Sequence, residues 1–208
     1  IQTDKLNDLF YDLMCDRVAK RFKNNLDLTV LDVGGDQGQA LAKFKSRLPH
    51  YKFSWHILEH PEYNKVPDHG PITYYSDIED IKLYKIDILL FDSVTQYFGL
   101  EYFNWKNIFS KLLKLKPEYV FIPRGCIDDG KTSVVHNAGQ NKKLLFVNCD
   151  ELATHIKPLN YEMYYKNCSR YFIHSIGPCN TEASADRRIN NIIYENVNQK
   201  VHNENNKN

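Results

Sequence analysis

The sequence predicts an α/β fold in which a mostly parallel sheet lies between layers of helices. Three observations predict it: segments of strand and helix type alternate from residue 28 to residue 124, the first strand ends in a run of glycines, and two short aromatic segments near residue 165 fit an antiparallel hairpin. Because crossovers between parallel strands are right-handed, the alternation predicts one continuous sheet with helices on both faces.

The elements of this fold follow in chain order. Apolar residues at intervals of three and four predict an amphipathic helix over residues 4–22. The apolar run IDILLFDS is nearly continuous, which predicts a strand that is buried on both faces. The other predicted elements are the strands LTVLDV, YKFSWHILEH, PITYY and EYVFIP, and the helices QALAKFKSRL and LEYFNWKNIFSKLLKLK.

The last third of the chain has a different character. Residues 125–143 are rich in Gly, Asp, Lys and Asn and predict a loop, after which LFVNCDELATHIKPL predicts a helix that begins at Asn148 or Asp150. YEMYYK and RYFIHSI predict two strands. The three-residue link NCS between them is short enough only for an antiparallel hairpin.

The residues after this hairpin are mostly polar. Four apolar residues at helical intervals, Ile189, Ile192, Ile193 and Val197, predict one amphipathic helix before a disordered Asn-rich end. We therefore divide the chain into an N-terminal helix that packs on or covers the binding site (residues 1–24), a central domain (residues 25–177), and a polar segment that holds the last helix and the disordered end (residues 178–208).

Composition limits the classes of partner. With 27 basic and 26 acidic residues among 208, the net charge is +1, so the chain lacks the general field that holds nucleic acid or an anionic membrane. No apolar run approaches the roughly 20 residues that cross a bilayer, and the first segment lacks the pattern of a signal peptide, so we expect a cytoplasmic location. The sequence opens on Ile1, which leaves open a larger parent chain, and it does not indicate the oligomeric state.

Metal binding is not predicted. The five cysteines include no CxxC pair, which predicts free thiols. His56 and His60 have the spacing of a helical metal-binding pair, but the stretch KFSWHILEH that contains them is predicted to be a strand.

The stretch VLDVGGDQG, residues 30–38, joins the first predicted strand to the next helix. In α/β sheets a ligand binds beyond the carboxyl ends of the strands, where glycines let it approach the main chain and helix N–H groups favour an anion. Gly34, Gly35 and Gly38 are therefore predicted to cradle a cofactor. The alternative is a tight turn that binds nothing.

Two cofactor classes share this geometry, the dinucleotides and S-adenosylmethionine. A dinucleotide turn needs a second glycine at the position of Asp36, which instead places a negative charge beside a pyrophosphate. Asp32, ahead of the first glycine, suits an ammonium group. Because S-adenosylmethionine carries an ammonium, a carboxylate and a sulfonium, we predict that it is the cofactor.

Further cofactor-binding residues are predicted at the ends of the following strands. Glu59 could accept hydrogen bonds from both ribose hydroxyls, or it could be a solvated surface acid. Asp77, next to Ile78, could accept a hydrogen bond from the adenine amino group, or it could be the N-cap of the helix suggested by IEDIKL. The set also includes His60, Asp92 and Ser93.

These residues carry a family resemblance. VLDVGGDQG resembles motif I of the class I S-adenosylmethionine-dependent methyltransferases, whose Rossmann-like sheet of seven strands closes with an antiparallel hairpin. The blocks LDVGGDQG, WHILEHPEY, ITYYSDI, DILLFDSVTQYF and YVFIPR resemble, in order and spacing, a family of small bacterial proteins inferred to be methyltransferases and often associated with surface-polysaccharide gene clusters. The resemblance spans residues 28–175. It departs at Arg124, where that family tends to have an acid before the arginine and Thr-Pro after it.

Methyl transfer from a sulfonium requires donor and acceptor to be held in line, and a hydroxyl acceptor usually also needs a base. The candidate catalytic residues are Asp92, Arg124 and His136. Asp92 could instead bind the cofactor or cap a helix. Arg124 suits a phosphate or carboxylate on the acceptor, or it pairs with Asp128 or Asp129. His136 could be the base or a solvated loop residue.

The sequence therefore predicts an enzyme that transfers a methyl group from S-adenosylmethionine to a small hydroxylated acceptor. The resemblance implies a sugar or glycan precursor. Three other functions stay open: a dinucleotide-dependent oxidoreductase, a module that binds a ligand without catalysis, and a nucleic-acid methyltransferase. The last is disfavoured by the net charge and by SVTQYF, which stands where an (N/D)PP(Y/F) motif would follow the fourth strand.

Overall fold

A computed structural model gives the structure of the chain. It describes residues 2–62, 72–97, 104–129, 131–137, 142–169 and 189–196. The helices are α1 Gln2–Arg21, α2 Gln39–Arg47, α3 Trp105–Leu113 and α4 Cys149–Ile156. The strands are β1 Asp27–Val33, β2 Lys52–Leu58, β3 Ile72–Tyr75, β4 Ile88–Leu90, β5 Tyr119–Gly125, β6 Ile127–Asp128, β7 Ser133–Asn137, β8 Lys142–Asn148, β9 Tyr161–Ser169 and β10 Ile189–Asn196.

The main sheet has seven strands in the order β3-β2-β1-β4-β5-β10-β9. Strands β1 to β5 run parallel, and β10 is antiparallel to both of its neighbours. The parallel strands therefore end together on one side, at Val33, Leu58, Leu90 and Gly125, which we call the carboxyl end of the sheet. The opposite side, where these strands begin, is the amino end.

Helices cover both faces of the sheet. Val30 and Leu31 are adjacent and fully buried in β1, but Val30 packs with residues of α1 and α2, and Leu31 packs with residues of α3 and α4. This alternation follows from the two-residue period of a strand. The β4 strand Ile88–Leu90 is buried along its whole length, which confirms the strand predicted to be covered on both faces.

Asparagine side chains mark where two of the helices begin. Asn104 Oδ1 accepts hydrogen bonds from the main-chain N–H groups of Lys106 and Asn107 ahead of α3. Asn148 Oδ1 accepts one from the N–H of Glu151 ahead of α4, which confirms the predicted start of that helix at Asn148.

The last strands of the sheet differ from the prediction. Residues 161–169 form the single strand β9, so NCS is part of a strand and not a hairpin link. The antiparallel partner of β9 is β10, in the segment where we predicted a helix. Ile192 and Ile193 are fully buried on opposite faces of the sheet, an arrangement that a strand satisfies and an amphipathic helix does not. RYFIHSI and Val197 lie outside the described residues.

Residues 125–143, predicted as a loop, also contain strands. They contribute to a small sheet with the strand order β6-β8-β7. Its strand β8 includes LFVN, which we had assigned to the following helix. Leu144 and Phe146 of β8 pack with Cys126 against the ring of Tyr97, so the small sheet borders the segment that follows β4.

Three cysteines in the described residues, Cys15, Cys126 and Cys149, are buried free thiols. Across the ranges that the structure describes, none of the helices combines the length and apolarity needed to cross a bilayer. The same ranges hold no cluster of three or more side chains suited to binding a metal.

Candidate functional site

The glycine turn between β1 and α2 lies at the carboxyl end of the sheet. Gly34 and Gly38 have φ angles of 70° and 76°, in the left-handed region that glycine adopts without steric cost. A Cβ atom at Gly34 would lie 2.4 Å from Cγ2 of Val94, and one at Gly35 would lie 2.6 Å from Oδ2 of Asp32. The turn therefore has to be bare backbone here, as predicted from the sequence.

Asp32 lies directly beneath this turn. Its side chain is 1% exposed, and Oδ2 accepts a 3.3 Å hydrogen bond from the indole N–H of Trp55. The other oxygen, Oδ1, is buried and has no hydrogen-bond partner among the described residues. Burial, reinforced by the nearby charge of Asp92, raises the pKa of Asp32 to about 8. Such a carboxylate is suited to an incoming cationic donor, which would satisfy Oδ1 and stabilise the charge.

Glu59 follows β2 and reaches across to the glycine turn. Its carboxylate accepts hydrogen bonds from the main-chain N–H of Asp36, at 3.1 Å, and from that of His60, at 2.9 Å. Asp36 has a φ of 46°, so an aspartate occupies a left-handed position in the turn. Glu59 thus holds the turn in shape, and its carboxylate lies at the carboxyl end of the sheet beside that turn. His60 contributes its main chain to this arrangement.

Asp77 caps a short 3-10 helix at Ile78–Asp80. Its Oδ1 accepts a 2.9 Å hydrogen bond from the N–H of Glu79. Of the two roles left open by the sequence, the structure contains the capping one, and the adenine contact stays a prediction. Ile78 is partly buried against the α3 and α4 side of the core.

Asp92, immediately beyond β4, is the centre of a hydrogen-bonded cluster. Arg124 donates to Asp92 Oδ1 from Nε at 3.0 Å and from Nη2 at 2.8 Å. The hydroxyl of Ser93 donates to the same oxygen at 3.1 Å. The hydroxyl of Tyr11, on α1, donates to Oδ2 at 2.7 Å. Asp92 is therefore a firmly held acceptor of hydrogen bonds.

Arg124 pairs with Asp92, an acid that we did not consider as its partner; the side chain of Asp128 lies outside the described part of the chain. Asp129 instead pairs with Lys166. Ser93 and Arg124 have φ angles of 57° and 51°, a conformation that costs about 1–2 kcal/mol for a non-glycine residue. Ser93 follows β4 and Arg124 lies near the end of the neighbouring strand β5. Strained residues that lie together at the carboxyl end of a sheet are typical of a functional site.

The structure does not place the side chain of His136 relative to this cluster. His136 lies in β7, in register with Lys143 of β8, and its side chain is outside the described part of the chain. Its role as a base therefore stays a prediction.

Tyr11, Trp55 and Asn191 were not predicted to belong to the site. The main-chain N–H of Arg124 donates to Asn191 Oδ1 at 2.8 Å, so β10 also helps to hold the cluster. A signal for Tyr11 was available in the sequence: a tyrosine on the buried stripe of an amphipathic helix needs a partner for its hydroxyl.

No protein-family model matches the sequence, and no curated protein matches it. Solved structures share its fold. A 1,6-didemethyltoxoflavin N1-methyltransferase from Burkholderia thailandensis, solved with 1,6-didemethyltoxoflavin and S-adenosylhomocysteine, has a TM-score of 0.52 at 10% identity, over 90% of this chain and 78% of that chain. An S-adenosylmethionine-dependent methyltransferase from Methanosarcina mazei has a TM-score of 0.52 at 10% identity, over 82% of this chain and 93% of that chain.

A pericyclic-reaction enzyme has a TM-score of 0.54 at 8% identity, over 86% of this chain and 46% of that chain. Together with the strand order, these likenesses confirm the predicted fold: a Rossmann-like class I methyltransferase fold with a seven-stranded mixed sheet and antiparallel strands at its C-terminal side. Because one of the proteins that contain this fold is a pericyclic-reaction enzyme, function has to be argued from the residues of the site.

Proposed function

We propose that this protein binds S-adenosylmethionine at the carboxyl end of its sheet and transfers the methyl group to a small hydroxylated acceptor. The observation that carries the proposal is Asp32 Oδ1, a buried carboxylate oxygen without a partner among the described residues, directly beneath a turn of bare backbone. An unpaired buried carboxylate is costly, and the ammonium group of the cofactor would relieve that cost.

The other predicted residues fit the rest of this cofactor. Glu59 would accept hydrogen bonds from the ribose hydroxyls. Asp77 and Ile78 would border the adenine, and Asp92 with Ser93 would border the methionine end. The N–H groups around Gly35 would meet the carboxylate of the cofactor. Once bound, the cofactor supplies an electrophilic methyl group on a positively charged sulfur.

The rival dinucleotide finds less support in the same turn. The carboxylate of Glu59 accepts a hydrogen bond from the main-chain N–H of Asp36, so the turn that would hold a pyrophosphate carries two acidic residues. Such a charge pattern favours a cation over an anion.

The acceptor side has weaker but consistent support. Arg124 keeps a half-exposed guanidinium beside Asp92, which could meet an anionic group on the acceptor. His136 is our candidate for the base that a hydroxyl acceptor needs. The Burkholderia relative acts on a small molecule, which agrees with a small acceptor here. The choice of a sugar or glycan precursor depends on the sequence resemblance alone.

The test is binding followed by turnover. Calorimetry should detect S-adenosylhomocysteine and not NADH, and the purified chain should transfer a labelled methyl group to at least one member of a panel of nucleotide sugars and free sugars. Binding of NADH with no response to S-adenosylhomocysteine would overturn the proposal. Binding of S-adenosylhomocysteine with no transfer to any acceptor class would leave a ligand-binding module in its place.

A further inference from the structure

Helix α1 crosses one face of the sheet from its carboxyl end to its amino end. Tyr11 meets Asp92 at the carboxyl end, whereas Arg21 donates from Nε to Glu118 Oε2 at 2.9 Å at the amino end. Tyr11 is fully buried, and its ring is in edge contact with the ring of Phe44 at 5.9 Å between centroids. The hydroxyl of Tyr11 is therefore held in one place by the packing of its ring.

Tyr11 completes the set of donors around Asp92. Arg124 and Ser93 both donate to Oδ1, and the hydroxyl of Tyr11 donates to Oδ2. Donors on both oxygens prevent rotation of a carboxylate about its Cβ–Cγ bond. Burial and the negative charge of Asp92 raise the pKa of Tyr11, so its hydroxyl remains a donor across the physiological range.

The carboxylate that Tyr11 fixes lies close to the glycine turn. Asp32 is in register with Leu90 of the neighbouring strand, so Asp92 follows two residues beyond that pair. Val94, two residues further, lies against Gly34. The charge of Asp92 also acts on the carboxyl group of Asp32. Asp92 thus borders the pocket in which the cofactor is proposed to bind.

We propose that Tyr11 is a positioning residue of the cofactor site: its hydroxyl, delivered by α1, fixes the carboxylate of Asp92 in the orientation that meets the methionine end of the cofactor. This inference depends on the proposed function. It makes α1 part of the site through one hydroxyl group, in addition to its packing on the sheet.

The experiment is a double-mutant cycle on the affinity for S-adenosylhomocysteine, measured by calorimetry well below the melting temperature. Tyr11→Phe removes the hydroxyl and keeps the ring, and should weaken binding about 5- to 10-fold, less than the loss of a direct hydrogen bond between a charged group and the ligand, because Tyr11 acts through Asp92. Asp92→Asn should weaken binding at least as much. The double variant should bind no more weakly than Asp92→Asn alone, because Tyr11 acts through Asp92.

Two controls separate this role from a structural one. Tyr51→Phe removes another hydroxyl that contacts α1, at the carbonyl of Ala19, and should leave the affinity unchanged. The paired variant Arg21→Gln/Glu118→Gln loosens α1 at the amino end without leaving a lone charge; it should lower the melting temperature and leave the affinity unchanged.

The outcomes distinguish the two proposals. If the wild-type protein does not bind S-adenosylhomocysteine, the proposed function is wrong. If the wild type binds and Tyr11→Phe binds equally well, the role of Tyr11 is wrong while the function stands. Additive effects of the two variants, or an equal loss of affinity in the Arg21→Gln/Glu118→Gln variant, would also overturn the role of Tyr11.

Discussion

Buried acidic side chains have different partners at the two ends of the main sheet. At the amino end, Asp87 accepts a 2.8 Å hydrogen bond from the N–H of Thr29, Glu118 pairs with Arg21, and Glu195 pairs with Arg17. At the carboxyl end, Asp32 is as deeply buried as these acids but keeps an oxygen without a partner among the described residues.

Backbone conformation also differs between the two ends. At the amino end, the non-glycine residues with positive φ angles, Lys116 and Asn160, follow the ends of helices, where a left-handed residue is common. Asp36, Ser93 and Arg124, all at the carboxyl end, have positive φ angles without being glycines. A protein retains strain and unpaired charge where binding compensates for them. The amino end therefore stabilises the fold, and the carboxyl end has the properties expected of a ligand site. Each variant below tests that division.

The largest effect is expected from Gly34→Val. A β-branched side chain at a φ of 70°, with its Cβ 2.4 Å from Val94, has to displace the turn that meets the ligand. We expect calorimetry to detect no binding of S-adenosylhomocysteine, while circular dichroism at low temperature still shows the folded α/β spectrum. Retained affinity in this variant would contradict the assignment of the turn as a cofactor cradle.

Asp32→Asn and Asp87→Asn form a matched pair across the sheet. Asp32→Asn should weaken binding of S-adenosylhomocysteine about 10- to 100-fold, because a charge-assisted hydrogen bond is lost. At pH 8 it should also raise the free energy of unfolding of the empty protein by about 1–3 kcal/mol, because a desolvated charge is removed. Asp87→Asn should lower the free energy of unfolding and leave the affinity for S-adenosylhomocysteine unchanged. Equal effects of the two variants on affinity would contradict the proposed difference between the two ends of the sheet.

The raised pKa of Asp32 predicts that binding of the cofactor releases a proton from the protein. With a pKa of about 8, the empty site holds this proton at pH 7, and an ammonium group would displace it. Calorimetry in buffers of different ionisation enthalpy should show the release of nearly one proton per S-adenosylhomocysteine, and none in Asp32→Asn.

The same group predicts the pH dependence of stability. The folded pKa lies above the ordinary value of 3.8, so the folded state binds more protons than the unfolded state between these values. The free energy of unfolding should therefore fall as the pH rises from about 4 to about 8, relative to Asp32→Asn. Denaturant titrations of both proteins over this range measure the difference.

The smallest effect is expected from Glu59→Ala. Loss of the ribose contacts and of the hydrogen bonds to the turn should weaken S-adenosylhomocysteine about 3- to 10-fold. The substitution should reduce the affinity for an analogue that lacks the 2′-hydroxyl by a smaller factor than it reduces the affinity for S-adenosylhomocysteine. If both ligands weaken equally, Glu59 only holds the turn and has no ribose contact.

The spacing of apolar residues was sufficient to predict the strands and helices wherever that spacing fits only one kind of element. The first five strands and the first three helices lie where the sequence predicts them, because continuous apolar runs and prolines mark their limits. It failed at β10, where INNIIYEN contains isoleucines that fit a helical stripe as well as a strand. The partners that decide between the two, β5 and β9, are distant in the chain, so local pattern cannot reveal them.

The same distinction between local pattern and long-range contact applies to the candidate site. The places of Asp32, the glycines and Glu59 were predictable because these residues lie at or just beyond the ends of strands; their contacts with a cofactor stay a prediction. The pairing of Arg124 with Asp92 depends on β4 and β5 being neighbours, so the sequence offered only the nearer Asp128 and Asp129. Tyr11 lies 81 residues before its partner and is brought to it by a helix.

The position of β10 has a consequence for how this protein is made. Strands β5 and β9 leave the ribosome first, yet both must wait for β10, which inserts between them and brings Asn191 to the backbone of Arg124. Until residue 196 has emerged, the edges of β5 and β9 that pair with β10 stay unpaired, and exposed strand edges of this kind promote aggregation. The sheet and the hydrogen-bonded cluster of Asp92 and Arg124 are therefore complete only after β10 has been made.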